Sequence, residues 1–172
     1  LLDMPIDNDS WPFMACGDVT VSGVAGRLFR ISFSGELAYE IAVPTRYGDA
    51  LIRKLMEAGA EYDAVVYGTE ALGVMRIEKG HVAGNELNGT STALNMGLGK
   101  MVSRKKDSIG MLLSQREGMT REDGLRLVGV KPVNPAAELK AGSHFLKTGA
   151  VAKAENDDGW ITSLVYSPHM GH

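Results

Sequence analysis

The sequence holds a single cysteine, Cys16, among 172 residues. One thiol cannot close an intrachain disulfide, and no CxxC or Cys/His pair stands at metal-ligand spacing. The pattern suits a reducing cytoplasm and excludes a disulfide scaffold. An excess of positive charge is also missing: 18 Lys and Arg stand against 21 Asp and Glu, a formal charge of −3, and the one basic run, Arg104-Lys105-Lys106, is short. Without a basic footprint for a phosphate backbone, nucleic acid is not expected as a partner. No apolar run approaches the roughly 20 residues that span a bilayer. The start, Leu1-Leu2-Asp3-Met4-Pro5, has no charged region leading into an apolar stretch. Neither a membrane partner nor secretion is expected. Generic catalytic motifs are absent too: there is no GxGxxG, GxSxG or HExxH, and Gly97-Leu98-Gly99-Lys100 lacks the spacing and trailing Ser or Thr of a phosphate loop. His81, His144, His169 and His172 are scattered without carboxylate or thiol partners at ligand spacing, so no metal site is expected. Asn88-Gly89-Thr90 matches a glycosylation sequon but is more simply a turn.

What is present is ordinary globular material, 44% apolar and 23% charged. It is enough for one medium domain or two small lobes with a real core. The protein begins with Leu and ends at His172 just after the strand-like Trp160 to Tyr166, so it reads as a piece cut at both ends. From Asp18 to Val43, apolar and β-branched residues alternate around breaks at Gly23 to Gly26 and Ser34-Gly35, predicting three short antiparallel strands. Thr45 is a candidate N-cap for a helix carrying Tyr47, Leu51, Ile52, Leu55 and Met56, with Gly59 as a left-handed exit. A strand over Tyr62 to Tyr67 and a helix from Thr69 through Lys79, stopped by Gly80, complete an α+β pattern. Val82 to Met96 reads as a long irregular loop, and a short helix is expected between Asp107 and Arg116. The tail then predicts strands at Leu125 to Lys131, Ser143 to Leu146, Ala150 to Lys153 and Trp160 to Tyr166, spaced as in a small all-β barrel or sandwich. The expected division falls between 1–103 and 104–172.

The informative stretch is Arg30-Ile31-Ser32-Phe33-Ser34-Gly35-Glu36-Leu37-Ala38-Tyr39-Glu40-Ile41. Glu36 and Glu40 flank a tight hairpin in this reading. Strand alternation sets Tyr39 and Ile41 on one face and Glu40 on the other, where it could enter a cleft. On residue chemistry alone, a glutamate on a strand is more commonly just solvated.

Ser32 to Ile41 resembles the S-R-x-G-Y-T-G-E-x-G-[FY]-E-I segment of folate-dependent aminomethyltransferases, the glycine-cleavage T-protein family. Tyr67-Gly68-Thr69-Glu70-Ala71 through Arg76-Ile77-Glu78-Lys79-Gly80-His81, followed by Glu86 and Gly97-Leu98-Gly99, is similar to the Y-G-T-E-A-x-x-x-x-R-x-E-K-G signature of its sarcosine oxidase alpha and dimethylglycine dehydrogenase branch. Gly159-Trp160-Ile161-Thr162-Ser163 with Ser167-Pro168 is similar to the G-x-V-T-S-x-x-x-S-P of the family's C-terminal barrel. The resemblance covers nearly the whole protein and implies an antiparallel sheet with packed helices, followed by a small β-barrel incomplete at its end.

By this resemblance, Glu40 is the carboxylate that grips the pterin of tetrahydrofolate; the pterin edge offers adjacent N–H donors that a carboxylate accepts as a parallel pair. Phe33, at the motif's tyrosine position, and Tyr39 are expected beside it, with Phe33 equally open to plain core packing. Leu72 falls where T-proteins carry a folate-contacting arginine, which puts the contacts to the ligand's tail in doubt. Arg76 and Glu78, two apart on a helix, are read as structural. The family's catalytic aspartate lies upstream of Leu1, so no catalytic residue is named in this piece, and the isolated stretch is expected to be inactive and to bind folate poorly. The implied parent oxidises sarcosine at a flavin on another subunit and passes the one-carbon unit to tetrahydrofolate, giving 5,10-methylenetetrahydrofolate. FAD, FMN and NAD are expected elsewhere in a complex with beta, gamma and delta subunits. Two alternatives stand beside it: a stand-alone glycine-cleavage aminomethyltransferase, disfavoured by Leu72, and a non-catalytic assembly module. An iron–sulfur assembly factor of the same superfamily would need a cysteine where His81 stands.

Overall fold

Ser22 (φ 47°) and Gly23 (φ 84°) both take left-handed backbone. Two successive positive φ values make a two-residue reversal whose twist matches that of the flanking strands. They join β1 (Cys16–Val21) to β2 (Val24–Phe29), paired antiparallel from Val21↔Val24 to Cys16↔Phe29. The turn is thus tighter than the expected break over Gly23 to Gly26, whose last three residues already belong to β2. A third antiparallel strand, β3 (Glu40–Ala42), pairs with β2 through Arg27↔Ala42, Leu28↔Ile41 and Phe29↔Glu40. The expected tight β2–β3 hairpin is instead joined by a loop from Arg30 to Tyr39, because the ladder stops at Phe29.

This computed structural model describes residues 1–103 and 105–172; Arg104, the first residue of the basic run, lies outside the described residues. The protein divides into two compact units, Leu1–Lys79 and Gly80–His172. In the first, period-two alternation buries one sheet face: Leu28 is 1% exposed, Val21 3% and Val19 7%, and they pack with Trp11. Gly17 lies under the Trp11 ring, where a Cβ would come within 2.8 Å of Cη2, so only glycine admits the indole there. Leu2, Met4, Ile6, Ile41, Val43 and Leu51 close the cluster.

Leu51 belongs to α1 (Gly48–Gly59), whose Leu55 and Met56 are also half-buried. Thr45 does not cap this helix. Pro44 (φ −54°, ψ 138°) leads straight into a 3₁₀ turn, Thr45–Tyr47, without a side-chain cap bond. Nor does Gly59 (φ −82°) exit left-handed: the helix tightens into a second 3₁₀ turn, Ala60–Tyr62, and Asp63 (φ 53°) takes the αL position. Asp tolerates that conformation better than most residues. The strand expected at Tyr62 to Tyr67 does not form. Val65 and Val66 are 79% and 71% exposed, without a ladder partner; β-branching favours extended backbone, but a strand also needs a neighbour to pair with. Helix α2 (Thr69–Lys79) matches its expected span, with Glu70 in the first turn and Gly80 (φ 77°) just past its end.

The second unit carries little regular structure. The irregular stretch expected over Val82 to Met96 holds one 3₁₀ turn, Gly84–Glu86, and the short helix is α3 (Met111–Ser114). Of the four expected tail strands, β4 (His144–Leu146) matches the second, and β5 (Asp157–Trp160) overlaps the start of the fourth. They pair antiparallel with a register shift between His144 and Leu146. Leu125 to Lys131 and Ala150 to Lys153 form no ladder, and neither does Ile161 to Tyr166. Asn95 instead fixes the first of these, its Nδ2 donating to Leu125 C=O (3.1 Å) and its own C=O accepting the Leu127 N–H (2.9 Å). Both sheets are antiparallel and the helices few, an α+β architecture. No helix among the described residues is long and apolar enough to cross a membrane.

Candidate functional site

The sheet of the first unit has two unlike faces. Leu28, Ile41 and Val19 point into the core. Alternation therefore turns Cys16, Phe29 and Glu40, one cross-strand row, to the other face, together with the next row, Asp18, Arg27 and Ala42. In that second face Glu40, Asp18, Arg27 and Ala42 are exposed, and Phe29 is half-buried. Arg27 Nε pairs with Asp18 Oδ1 at 3.2 Å. A concavity of about 720 Å³ opens along the strands, lined by Asp3, Met4, Asp18, Val19, Arg27 and Val43 among others, from both faces; Glu40 is not part of its lining. The expected alternation of Glu40 against Tyr39 and Ile41 is realised, and the carboxylate stands on an open face.

Tyr39, the residue before it, is 37% exposed, and the Arg30 guanidinium lies 6.0 Å from its ring centroid. Phe33, 38% exposed, sits on the connecting loop. That loop is shaped by local side-chain bonds. Ser32 Oγ accepts the Gly35 N–H at 2.9 Å, and Ser34 Oγ accepts the Glu36 N–H at 3.4 Å. Gly35 (φ 92°) rests against the Lys79 side chain, where a Cβ would come within 2.5 Å of Cδ. The left-handed backbone is what calls for glycine at this position, because the exposed Lys79 side chain is flexible and can move aside.

Phe33, Tyr39 and Glu40 thus share one loop and the strand it enters, whereas Leu72 is held elsewhere. It is half-buried in the first turn of α2, its N–H donating to Gly68 C=O at 3.1 Å. The loop touches this helix at Lys79, seven residues on, which is about 10 Å along the axis. Glu36 is exposed on the loop.

In the second unit, the residue that stands out is one to which the motifs assign no role. Glu86 is only 4% exposed. Its Oε1 accepts the Ser163 hydroxyl, its Oε2 accepts the Ala83 N–H at 2.9 Å, and its backbone carbonyl accepts the Ser91 hydroxyl at 3.1 Å. Asn85 adds a bond from Nδ2 to Thr162 C=O at 3.1 Å. The carboxylate joins the loop after α2 to the Ile161-Thr162-Ser163 run, two segments separated by 77 residues in sequence. The available signal was its place near the end of one motif, opposite a serine in another. Nearby on the hairpin, Asp157 Oδ2 meets His144 Nδ1 at 2.9 Å and Oδ1 accepts the Gly159 N–H at 2.9 Å; the latter bond, with His144 adding to it, holds the carboxyl below the ordinary carboxylate range.

Residues 1–106 match the GCVT N-terminal domain model. The protein is 50% identical to sarcosine oxidase subunit alpha of Rhizobium meliloti (strain 1021), over 99% of its own length and 18% of that protein. It is 41% identical to sarcosine oxidase subunit alpha of Corynebacterium sp. (strain P-1), over 98% of its length and 18% of the relative's. An aminomethyltransferase of Caldanaerobacter subterraneus subsp. tengcongensis is 32% identical over 88% of the present sequence and 39% of its own. The sequence therefore spans about a fifth of the length of the sarcosine oxidase subunits that it resembles. With one family model matching more than half of its residues, the protein belongs to the aminomethyltransferase-like family of the GCVT N-terminal domain.

Proposed function

We propose that this protein is the tetrahydrofolate-binding region of a sarcosine oxidase alpha subunit, where the one-carbon unit from sarcosine demethylation is accepted to form 5,10-methylenetetrahydrofolate. The observation that carries the reading is Glu40, a carboxylate on the open face of a sheet whose opposite face is packed; the motif resemblance assigns it to the family's pterin-binding glutamate. Its two oxygens suit the adjacent N–H donors of a pterin edge. Phe33 supplies a ring on the loop that enters the strand, where a ring beside a flat heterocycle adds apolar contact, and Tyr39, which faces the other way, belongs to the site as the residue that leads into the strand at Glu40. Leu72 offers no cation for the ligand's anionic tail, so the fit supports the pterin end of the molecule. Tetrahydrofolate supplies the nucleophilic nitrogen when bound. The role of the protein's own residues is to hold that nitrogen in place, and positioning replaces a bimolecular encounter.

The same proposal takes in the flavin and NAD sites, and the beta, gamma and delta subunits, as features of the larger complex. It also takes in the division into a folate-binding part over 1–103 and a barrel lobe over 104–172. Titration calorimetry of the full polypeptide in its complex tests the reading. Charge-assisted hydrogen bonds contribute about 1.5 to 3 kcal/mol each, so Glu40→Gln should weaken tetrahydrofolate binding by roughly ten- to a hundredfold. Unchanged affinity would remove Glu40 from the site.

A further inference from the structure

β3 has three residues and three ladder pairs, too few to fix its own register firmly. Register matters here because a slip of one residue would carry Glu40 from the open face into the core. We infer that Arg30 is the positioning residue that pins this register, and that ligand binding at Glu40 depends on Arg30 without contact between Arg30 and the ligand. The inference rests on the proposed role of Glu40.

Arg30 follows Phe29, and Tyr39 precedes Glu40, so the two stand across from each other just beyond the last ladder pair, at the neck of the loop from Ile31 to Ala38. Alternation puts both on the core side, opposite to Glu40. There the guanidinium lies 6.0 Å from the Tyr39 ring centroid, within cation–π range. Its two terminal nitrogens are tied down behind it: Nη1 donates to Trp11 C=O at 2.7 Å and Nη2 to Asn8 Oδ1 at 2.7 Å. The turn that presents those acceptors is itself fixed. Asp7 Oδ1 accepts the Ser10 N–H at 2.7 Å, the Asp9 N–H at 2.9 Å and the Ser10 hydroxyl at 2.9 Å, which holds the Asp7 carboxyl below its ordinary range. The Arg30 backbone is gripped as well, its N–H donating to Ala15 C=O and its carbonyl accepting the Met14 N–H, both at 2.9 Å. A planar fork held on two separate acceptors keeps one orientation, which a lysine ammonium could not reproduce. Tyr39 therefore has a fixed surface to rest on, and the next residue, Glu40, is turned to the open face.

A double-mutant cycle on tetrahydrofolate affinity in the full polypeptide and its complex tests this, with Arg30→Lys, Glu40→Gln and the pair. Arg30→Lys alone should weaken binding about tenfold, as loss of one well-formed contact would, while the complex stays folded by circular dichroism. In the Glu40→Gln background the same change should have no further effect, because the carboxylate it positions is gone. A general loss of stability would lower affinity alike in both backgrounds, and that result, or unchanged affinity for Arg30→Lys, would overturn the inference. If Glu40→Gln itself leaves binding unchanged while Arg30→Lys weakens it, the assignment of Glu40 fails, and with it any role for Arg30 through that residue. Tyr39→Leu, which removes the ring but not the charge, should reproduce the Arg30→Lys result; a wild-type affinity would refute the path through Tyr39.

Discussion

The two units are held together in different ways. Residues Leu1–Lys79 bury Trp11, Val19, Val21 and Leu28 against a three-stranded sheet. Among the described residues of Gly80–His172, Ile161 is the one large apolar residue in the buried class, and it shares that class with Glu86, Gly159 and Ser167. Asn85, Glu86 and Asn95 do there what strand ladders do in the first unit, fastening segments far apart in sequence through side-chain bonds. Apolar burial is non-directional and tolerates small shifts, whereas a buried hydrogen-bonded carboxylate depends on each partner. The first unit should therefore fail through loss of volume and the second through loss of single polar groups.

Leu28→Ala gives the largest effect in that contrast. Truncating a residue that is 1% exposed should cost about 2 to 5 kcal/mol, with increased amide exchange in β1 and β2 and little change in residues 80–172. A loss spread evenly over both units would erase the distinction between them. Next comes Glu86→Ala, which leaves the Ala83 N–H and the Ser163 hydroxyl without this acceptor and should cost about 2 kcal/mol. Exchange should rise at residues 161–163, and an effect smaller than that of an ordinary surface substitution would show that the second unit is not pinned by this group. The smallest effect concerns Asp157. Because its folded carboxyl titrates below the ordinary value, its contribution is fully present above about pH 4 and is lost as pH falls through the lower folded value. Asp157→Asn should flatten that acid dependence for the β4–β5 hairpin, read from pH-dependent exchange at its amides; an unaltered profile would place the acid sensitivity elsewhere.

The same contrast governs what could be read from the sequence. β1 to β3 were legible because one buried face imposes period-two alternation, and α2 because Thr69 and Gly80 bracket it. The tail was legible only at β4 and the edge of β5, since short apolar runs such as Leu125 to Lys131 look like strands whether or not a neighbour pairs with them. The length of the loop from Arg30 to Tyr39 was also hidden, as it depends on where the β2–β3 ladder ends rather than on any residue in between. At the candidate site, the face occupied by Glu40 follows from alternation. Arg30 opens the informative stretch, but its partners could not be seen in advance, because Asn8 and Trp11 lie about twenty residues upstream and carry no motif.

The row formed by Cys16, Phe29 and Glu40 has a practical side. The single thiol is exposed on the same sheet face as the carboxylate, two strands away. The molecule thus comes with its own chemical reporter: alkylation of the Cys16 thiol reads how open that face is to solvent, with no residue of the proposed site substituted.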